Sequence, residues 1–252
     1  MRVLVVTAVA AEADSVAAGL AVAGYAPPAE EPDRPGGTRP PATRTSAGFN
    51  ARAFRAEGRA VDVDVLPAGV GPAAAAAGTA IALARAPYDL VVSAGIGGGF
   101  PGVAPLGSLV VASHLIAADL GAGSPEGFLP VTELGFGRDR LAAPPGLCQA
   151  VARATGALPG PVLTVTTATG TAERAAELLA RHPSAAAEAM EGFGVAEAAD
   201  QYGLPALEIR AVSNSVGPRD RSAWRIGDAL AALTDAFGKL PPALESWTSH
   251  EH

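Results

Sequence analysis

The chain has 252 residues, a formal net charge of -7 at pH 7 and 49% hydrophobic content, which suffices for one large α/β domain with a full core. The acidic balance argues against a nucleic-acid or anionic-membrane surface. The lone Cys148 excludes an internal disulfide and a cysteine-built zinc site, and no run reaches the roughly 18 apolar residues that span a bilayer.

Residues 2–8, RVLVVTA, form a continuous apolar run of strand length, as for a strand buried on both faces. Glu12 and Asp14 follow almost at once, where a secretory signal would carry a small-residue cleavage site; the expectation is a cytoplasmic protein. An Ala-rich helix is expected from about 11 to 23. Residues 26–48 then gather prolines, glycines, serines and threonines into a segment that reads as an exposed loop. VDVDVLPAGVG (61–71) alternates, which predicts a strand with one polar face, and 72–86 reads as a helix with Pro72 in its first turn.

YDLVVSAGIGGG (88–99) is a second buried strand that ends in glycines. Further strands are expected at 107–117, 160–170 and 204–214, and helices at 171–181, 190–203 and 224–240. Strands alternating with helices predict a single α/β domain over 1–252, with a mixed, mainly parallel central sheet flanked by helices.

In such sheets ligands bind beyond the carboxyl ends of the strands. Those ends carry Glu12 after the first strand, Ser93 and Gly95–Gly99, Thr166, Thr167 and Thr169, and finally Ser213 and Asn214, with Met190 and Glu191 at a helix start. Two carboxylates, a glycine-lined floor and an amide thus converge on one edge. GIGGGF matches only the first half of a dinucleotide fingerprint, because Phe100 occupies the third glycine's place and the motif lies on the wrong strand. There is no P-loop and no G-x-S-x-G elbow, and the four histidines show no metal-ligand spacing. No cofactor and no metal are expected.

Together VVSAGIGGGF (91–100), EAMEGFG (188–194) and RAVSNSVGPRDRSAW (210–224) resemble the nucleoside phosphorylase / nucleosidase superfamily, and within it the futalosine hydrolases. The resemblance spans nearly the whole chain apart from 26–48 and the last few residues. It implies a nucleoside phosphorylase-like fold and hydrolysis of the N-glycosidic bond of futalosine, an inosine-like nucleoside with a carboxylated aromatic arm. The products would be hypoxanthine and dehypoxanthinyl futalosine, in menaquinone biosynthesis. A small-molecule nucleoside is then the expected partner, with neither nucleic acid nor membrane, and relatives of this kind imply a homo-oligomer, a dimer.

The resemblance also distributes roles. Glu12 matches the acidic position that orients and deprotonates water, although an acid in a first helical turn is also simply favoured by the helix dipole. Glu191 matches the ribose-binding position; a carboxylate offers two acceptor oxygens to vicinal hydroxyls. Met190 would lie against the sugar. Gly95 and Gly97, with Ser93, would let backbone approach the ligand, while Thr169 would face the base or merely fill a Thr-rich strand. Arg219 and Trp224 suit the carboxylated aromatic arm, or a solvated loop. Asn214 stands where adenosine-type nucleosidases carry Asp. Its amide donates toward the O6 and N7 acceptors of hypoxanthine but cannot give up a proton to an adenine.

Two other readings remain: a purine nucleoside phosphorylase or a methylthioadenosine-type nucleosidase, and a non-catalytic purine-binding module. Phosphorolysis needs cationic donors for phosphate, and neither Leu90–Ser93 nor the loop after the first strand contains Lys or Arg. A binding module would leave Glu12 without work.

Overall fold

The computed structural model describes residues 1–28 and 51–248. The first half runs β1 (Arg2–Thr7), α1 (Ala10–Val22), β2 (Arg52–Phe54), β3 (Asp62–Pro67), α2 (Pro72–Arg85) and β4 (Leu90–Gly99). Then come β5 (Leu109–Ala117), the hairpin β6 (Gly121–Ser124) and β7 (Gly127–Pro130), β8 (Arg140–Ala142), α3 (Pro145–Thr155) and β9 (Leu158–Thr164). The chain ends with α4 (Ala172–Arg181), β10 (Ala187–Ala189), α5 (Gly192–Gln201), β11 (Ala206–Ser215) and α6 (Ile226–Thr248).

One mixed sheet holds the order β10-β9-β5-β11-β4-β1-β3-β2, and β10 also pairs back onto β4. The five strands β4, β11, β5, β9 and β10 therefore close on themselves, while β1, β3 and β2 extend as an open wing. Parallel pairings carry the long registers, β4 with β1 and β11, β1 with β3, and β9 with β5. The pairs β4–β10, β11–β5 and β3–β2 are antiparallel. The apolar runs of β1 and β4 are buried on both faces, as their lack of alternation predicts. Among the described residues no helix is long and apolar enough to cross a membrane.

Several expectations need correction. The proposed strand 160–170 stops at Thr164; residues 165–171 form a loop whose Thr171 side chain accepts from Arg174 N and caps α4. The polar face of 61–71 is only partly in solvent: Asp62 is half exposed and pairs with Arg55. Asp64 is buried and binds Arg2, Arg55 and the Tyr88 hydroxyl, so its charge is answered inside the wing. The helix expected at 190 begins at Gly192, because EA of EAME belongs to β10 and Glu191 is the residue before the first turn. The last helix passes through Pro241 and Pro242 to Thr248. Ala243 and Leu244 are buried there, and that packing outweighs the two missing N–H donors. Of the loop expected at 26–48, Ala26 pairs with Arg55 in an isolated bridge; 29–48 lie outside the described residues.

Candidate active site

Glu12 sits in the first turn of α1 and is 4% exposed. Its Oε2 accepts from Ala8 N at 2.9 Å and Val9 N at 3.3 Å, and its Oε1 accepts from Ile96 N at 2.9 Å. The carboxylate is thus both a cap for α1 and a tie to β4. Carboxylates offer about four lone pairs. With three used by backbone, one remains, on Oε1.

The central cation is a residue the sequence reading did not single out. Arg210 of β11 is 1% exposed. Its Nε donates to Glu208 Oε1 at 2.8 Å, one terminal nitrogen donates to Ser93 Oγ at 2.9 Å, and the other lies 3.2 Å from Glu191 Oε2 and 3.4 Å from the Ile96 carbonyl. Burial opposes its charge, but Glu208, Glu191 and Glu12 outweigh burial and hold its pKa above the ordinary arginine value. Burial in turn pushes the Glu208 carboxyl up, against the attraction of Arg210. The signal was present in ALEIRAV: two opposite charges spaced i, i+2 share one face of a strand that is otherwise apolar.

Glu191 precedes α5 and is 6% exposed. Its Oε1 accepts from Gly71 N at 3.1 Å, and its Oε2 accepts from Met190 N at 3.3 Å as well as facing Arg210. Gly71 adopts φ +91°, a conformation that favours glycine, and this turns its N–H toward the carboxylate. One Oε1 lone pair stays available for a hydroxyl. Met190 is half-buried beside it.

The glycines of β4 make room chiefly for protein. A Cβ on Gly95 would lie 2.5 Å from Glu12 Oε1 and 2.7 Å from an Arg210 terminal nitrogen; one on Gly97 would lie 2.7 Å from the Glu188 carbonyl. Gly192 does the same for Glu208, whose carboxylate occupies the space a Cβ would need. Ser93 is fully buried and serves Arg210. Ile96 and Gly97 alone break the burial of β4, so the open part of the floor is there.

β11 carries a register shift between Val212 and Asn214. The extra residue turns Asn214 off the face that holds Arg210 and pairs it with Gly98. Ser213 Oγ lies 2.9 Å from Asn214 Oδ1 and donates to it, which leaves the amide nitrogen facing outward; Nδ2 reaches the Ser215 carbonyl at 3.2 Å with one hydrogen. The chain then makes the loop 216–225 and returns with Arg225 N donating to Ser213 O at 2.7 Å. Arg219 and Arg221 both lie over the Trp224 ring, 5.0 and 5.9 Å from its centre, and Arg219 N donates to the Gly170 carbonyl at 3.1 Å. Thr169, expected to face the base, gives both its N–H and its hydroxyl to the buried Glu188.

Glu12, Glu191 and Arg210 therefore gather around Gly95 and Ile96 of β4, and Asn214 stands at the end of β11, paired with Gly98 of the same strand. Such an edge can hold a water beside one acceptor oxygen, a hydroxylated ligand beside another, and an acceptor-bearing ring against an amide.

Known proteins resemble this chain in sequence and in fold. Residues 3–240 match the family model described as the phosphorylase superfamily. A futalosine hydrolase of Streptomyces coelicolor is 67% identical over 193 residues, covering 75% of this chain and 82% of that protein. One from Acidothermus cellulolyticus is 45% identical over 245 residues, 95% of this chain and 90% of its own. In fold, the futalosine hydrolase of Helicobacter pylori superposes with a TM-score of 0.72 at 16% identity, covering 98% of each chain. A methylthioadenosine/S-adenosylhomocysteine nucleosidase of Colwellia psychrerythraea in complex with adenine does so with a TM-score of 0.72 at 23% identity, covering 95% and 96%. With a match of this length and identity, the chain belongs to the phosphorylase superfamily and, within it, to the futalosine hydrolases.

Proposed function

We infer that this chain cleaves the N-glycosidic bond of futalosine with water, releasing hypoxanthine and dehypoxanthinyl futalosine for menaquinone biosynthesis. One observation carries water over phosphate: Arg210, the cation buried at the site, is surrounded by Glu208, Glu191 and Glu12, and each of its three nitrogens already has a protein partner. An anionic nucleophile would enter a site whose buried side chains are already net negative, at a Coulombic cost that a neutral water avoids.

In this mechanism water sits beside Glu12 Oε1, the oxygen with an unused lone pair. As the C1′–N9 bond lengthens, its electron pair passes to the purine and positive charge grows on the sugar. The water oxygen bonds to C1′ and its proton moves to Glu12. Glu191 Oε1 accepts a ribose hydroxyl, and Met190 lies along the sugar. Arg210 touches neither reacting atom; it holds Glu191 and the Ile96 carbonyl in place. Asn214 donates to the O6/N7 edge, where the departing charge collects; Glu12 then gives up to solvent the proton it took, and the base takes one from solvent to become neutral hypoxanthine. Arg219 and Trp224 receive the carboxylated aromatic arm. The protein acts in the cytoplasm as a homodimer, and the exposed side chains of Ile81 on α2 and of the neighbouring Tyr202, just after α5, support the dimer.

Incubation with futalosine and, separately, with methylthioadenosine tests the substrate. Hypoxanthine should appear from the first at a much higher kcat/KM than adenine from the second. Adenine release alone would assign a methylthioadenosine-type nucleosidase, and turnover of neither would leave a binding module.

A further inference from the structure

The mechanism above leaves a buried acid near the site unused. Glu188 of β10 is 6% exposed, and both its oxygens accept from a single residue, Thr169: the N–H reaches Oε1 at 2.8 Å and the hydroxyl reaches Oε2. Glu188 is in register with Gly98 on one edge of β4, and Asn214 is in register with the same Gly98 on the other edge. Residues opposite one another across a ladder point to the same face. Glu188 and Asn214 therefore stand on one face with a glycine between them, their Cα atoms about 10 Å apart, two strand spacings. A side chain at Gly98 would crowd this face: a Cβ there would lie 3.2 Å from Asn214 Nδ2 and 2.9 Å from Val216 Cγ2.

We propose that Glu188 and Asn214 form a two-sided reader of the base, in which the Glu188 carboxylate accepts the N1–H of a 6-oxopurine while the Asn214 amide donates to its O6/N7 edge. The proposal rests on the futalosine reading of the site and names how that site recognises its base. Burial pushes the Glu188 carboxyl up, and the two donors from Thr169 oppose that; the ionised group they favour keeps lone pairs and has no hydrogen to offer. Hypoxanthine places a donor at N1 between O6 and C2, so acceptor meets donor at Glu188 and donor meets acceptor at Asn214. Adenine places a bare lone pair at N1 and an amino group at C6, which reverses the contact at Glu188 and leaves Asn214 only N7 to donate to. Thr169 then acts through Glu188: its N–H and hydroxyl fix the carboxylate's rotamer and answer part of its charge.

Free bases test the reader apart from catalysis. The unmodified protein should bind hypoxanthine about 10–100-fold more tightly than 1-methylhypoxanthine, which lacks the N1–H; that is the size of one charged hydrogen bond. Glu188→Gln, whose amide can donate, should remove most of this gap and move the adenine-to-hypoxanthine preference at least about tenfold toward adenine. It should move the kcat/KM ratio for 6-aminofutalosine over futalosine in the same direction. Equal binding of hypoxanthine and 1-methylhypoxanthine to the unmodified protein would overturn the proposal, whatever the fate of the variants. So would a Glu188→Gln protein that loses affinity for both bases alike. If the bases are discriminated as stated but futalosine is not cleaved, the functional reading fails and the base reader stands.

Discussion

Glu12 performs two tasks that a mutation separates. Its three backbone contacts cap α1 and fasten the loop after β1 to β4, so the plain helix-cap reading of a first-turn acid and the catalytic one are compatible. Glu12→Gln replaces one acceptor oxygen with an NH₂ that must face a backbone N–H in either orientation. We expect a loss of turnover of about 10²–10⁴-fold, with a loss of stability of about 1–3 kcal/mol, read as kcat and as the unfolding midpoint. Near-native turnover would remove Glu12 from the mechanism. Asn214→Asp should lower the rate on futalosine and raise the ratio of aminofutalosine to futalosine cleavage; an unchanged ratio would make Asn214 structural. Both residues were visible in the sequence because strand ends and helix starts expose single polar residues against apolar runs. Arg210 was not, because its site lies within the strand, and a buried ion cluster is defined by which strands become neighbours.

At the level of elements, the long runs of β1, β4 and β11 were legible because burial on both faces suppresses alternation. The three-residue β10 was not: AEA between Ala-rich stretches carries no period, and only its neighbours β9 and β4 make it a strand. The same limit moved Thr169 from a strand into a loop. The wing offers an element-scale test away from the edge. Asp64 is buried, which alone would raise its pKa, but hydrogen bonds from Tyr88, Arg2 and Arg55 outweigh burial and hold it below the ordinary carboxylate value. A depressed folded-state pKa adds stability at pH values above the unfolded pKa, about 3.9, and that stability is lost as pH falls through the folded value. Asp64→Asn should therefore destabilise the protein by about 2–4 kcal/mol near neutrality and flatten the acid limb of its stability profile, with kcat on futalosine unchanged. An acid limb identical to that of the unmodified protein would show that Asp64 does not set it.

Across the whole molecule, charge and closure act together. The closed set β4-β11-β5-β9-β10 brings residues from both ends of the chain to one rim, and a net charge of -7 surrounds a site with three carboxylates about one guanidinium. Alternation of strands and helices was enough to place an α/β sheet with a ligand at its edge, but the return of β10 onto β4 depends on a pairing between distant segments that no local pattern encodes. Light scattering at micromolar concentration should give twice the chain mass if the exposed side chains of Ile81 and Tyr202 join two copies; a monomer would contradict that expectation. The choice of acceptor is tested most directly by following hypoxanthine release from futalosine with and without inorganic phosphate while recording ³¹P spectra. The account predicts equal rates and no sugar phosphate signal. A rate that requires phosphate, together with a new ribose 1-phosphate-type resonance, would contradict it.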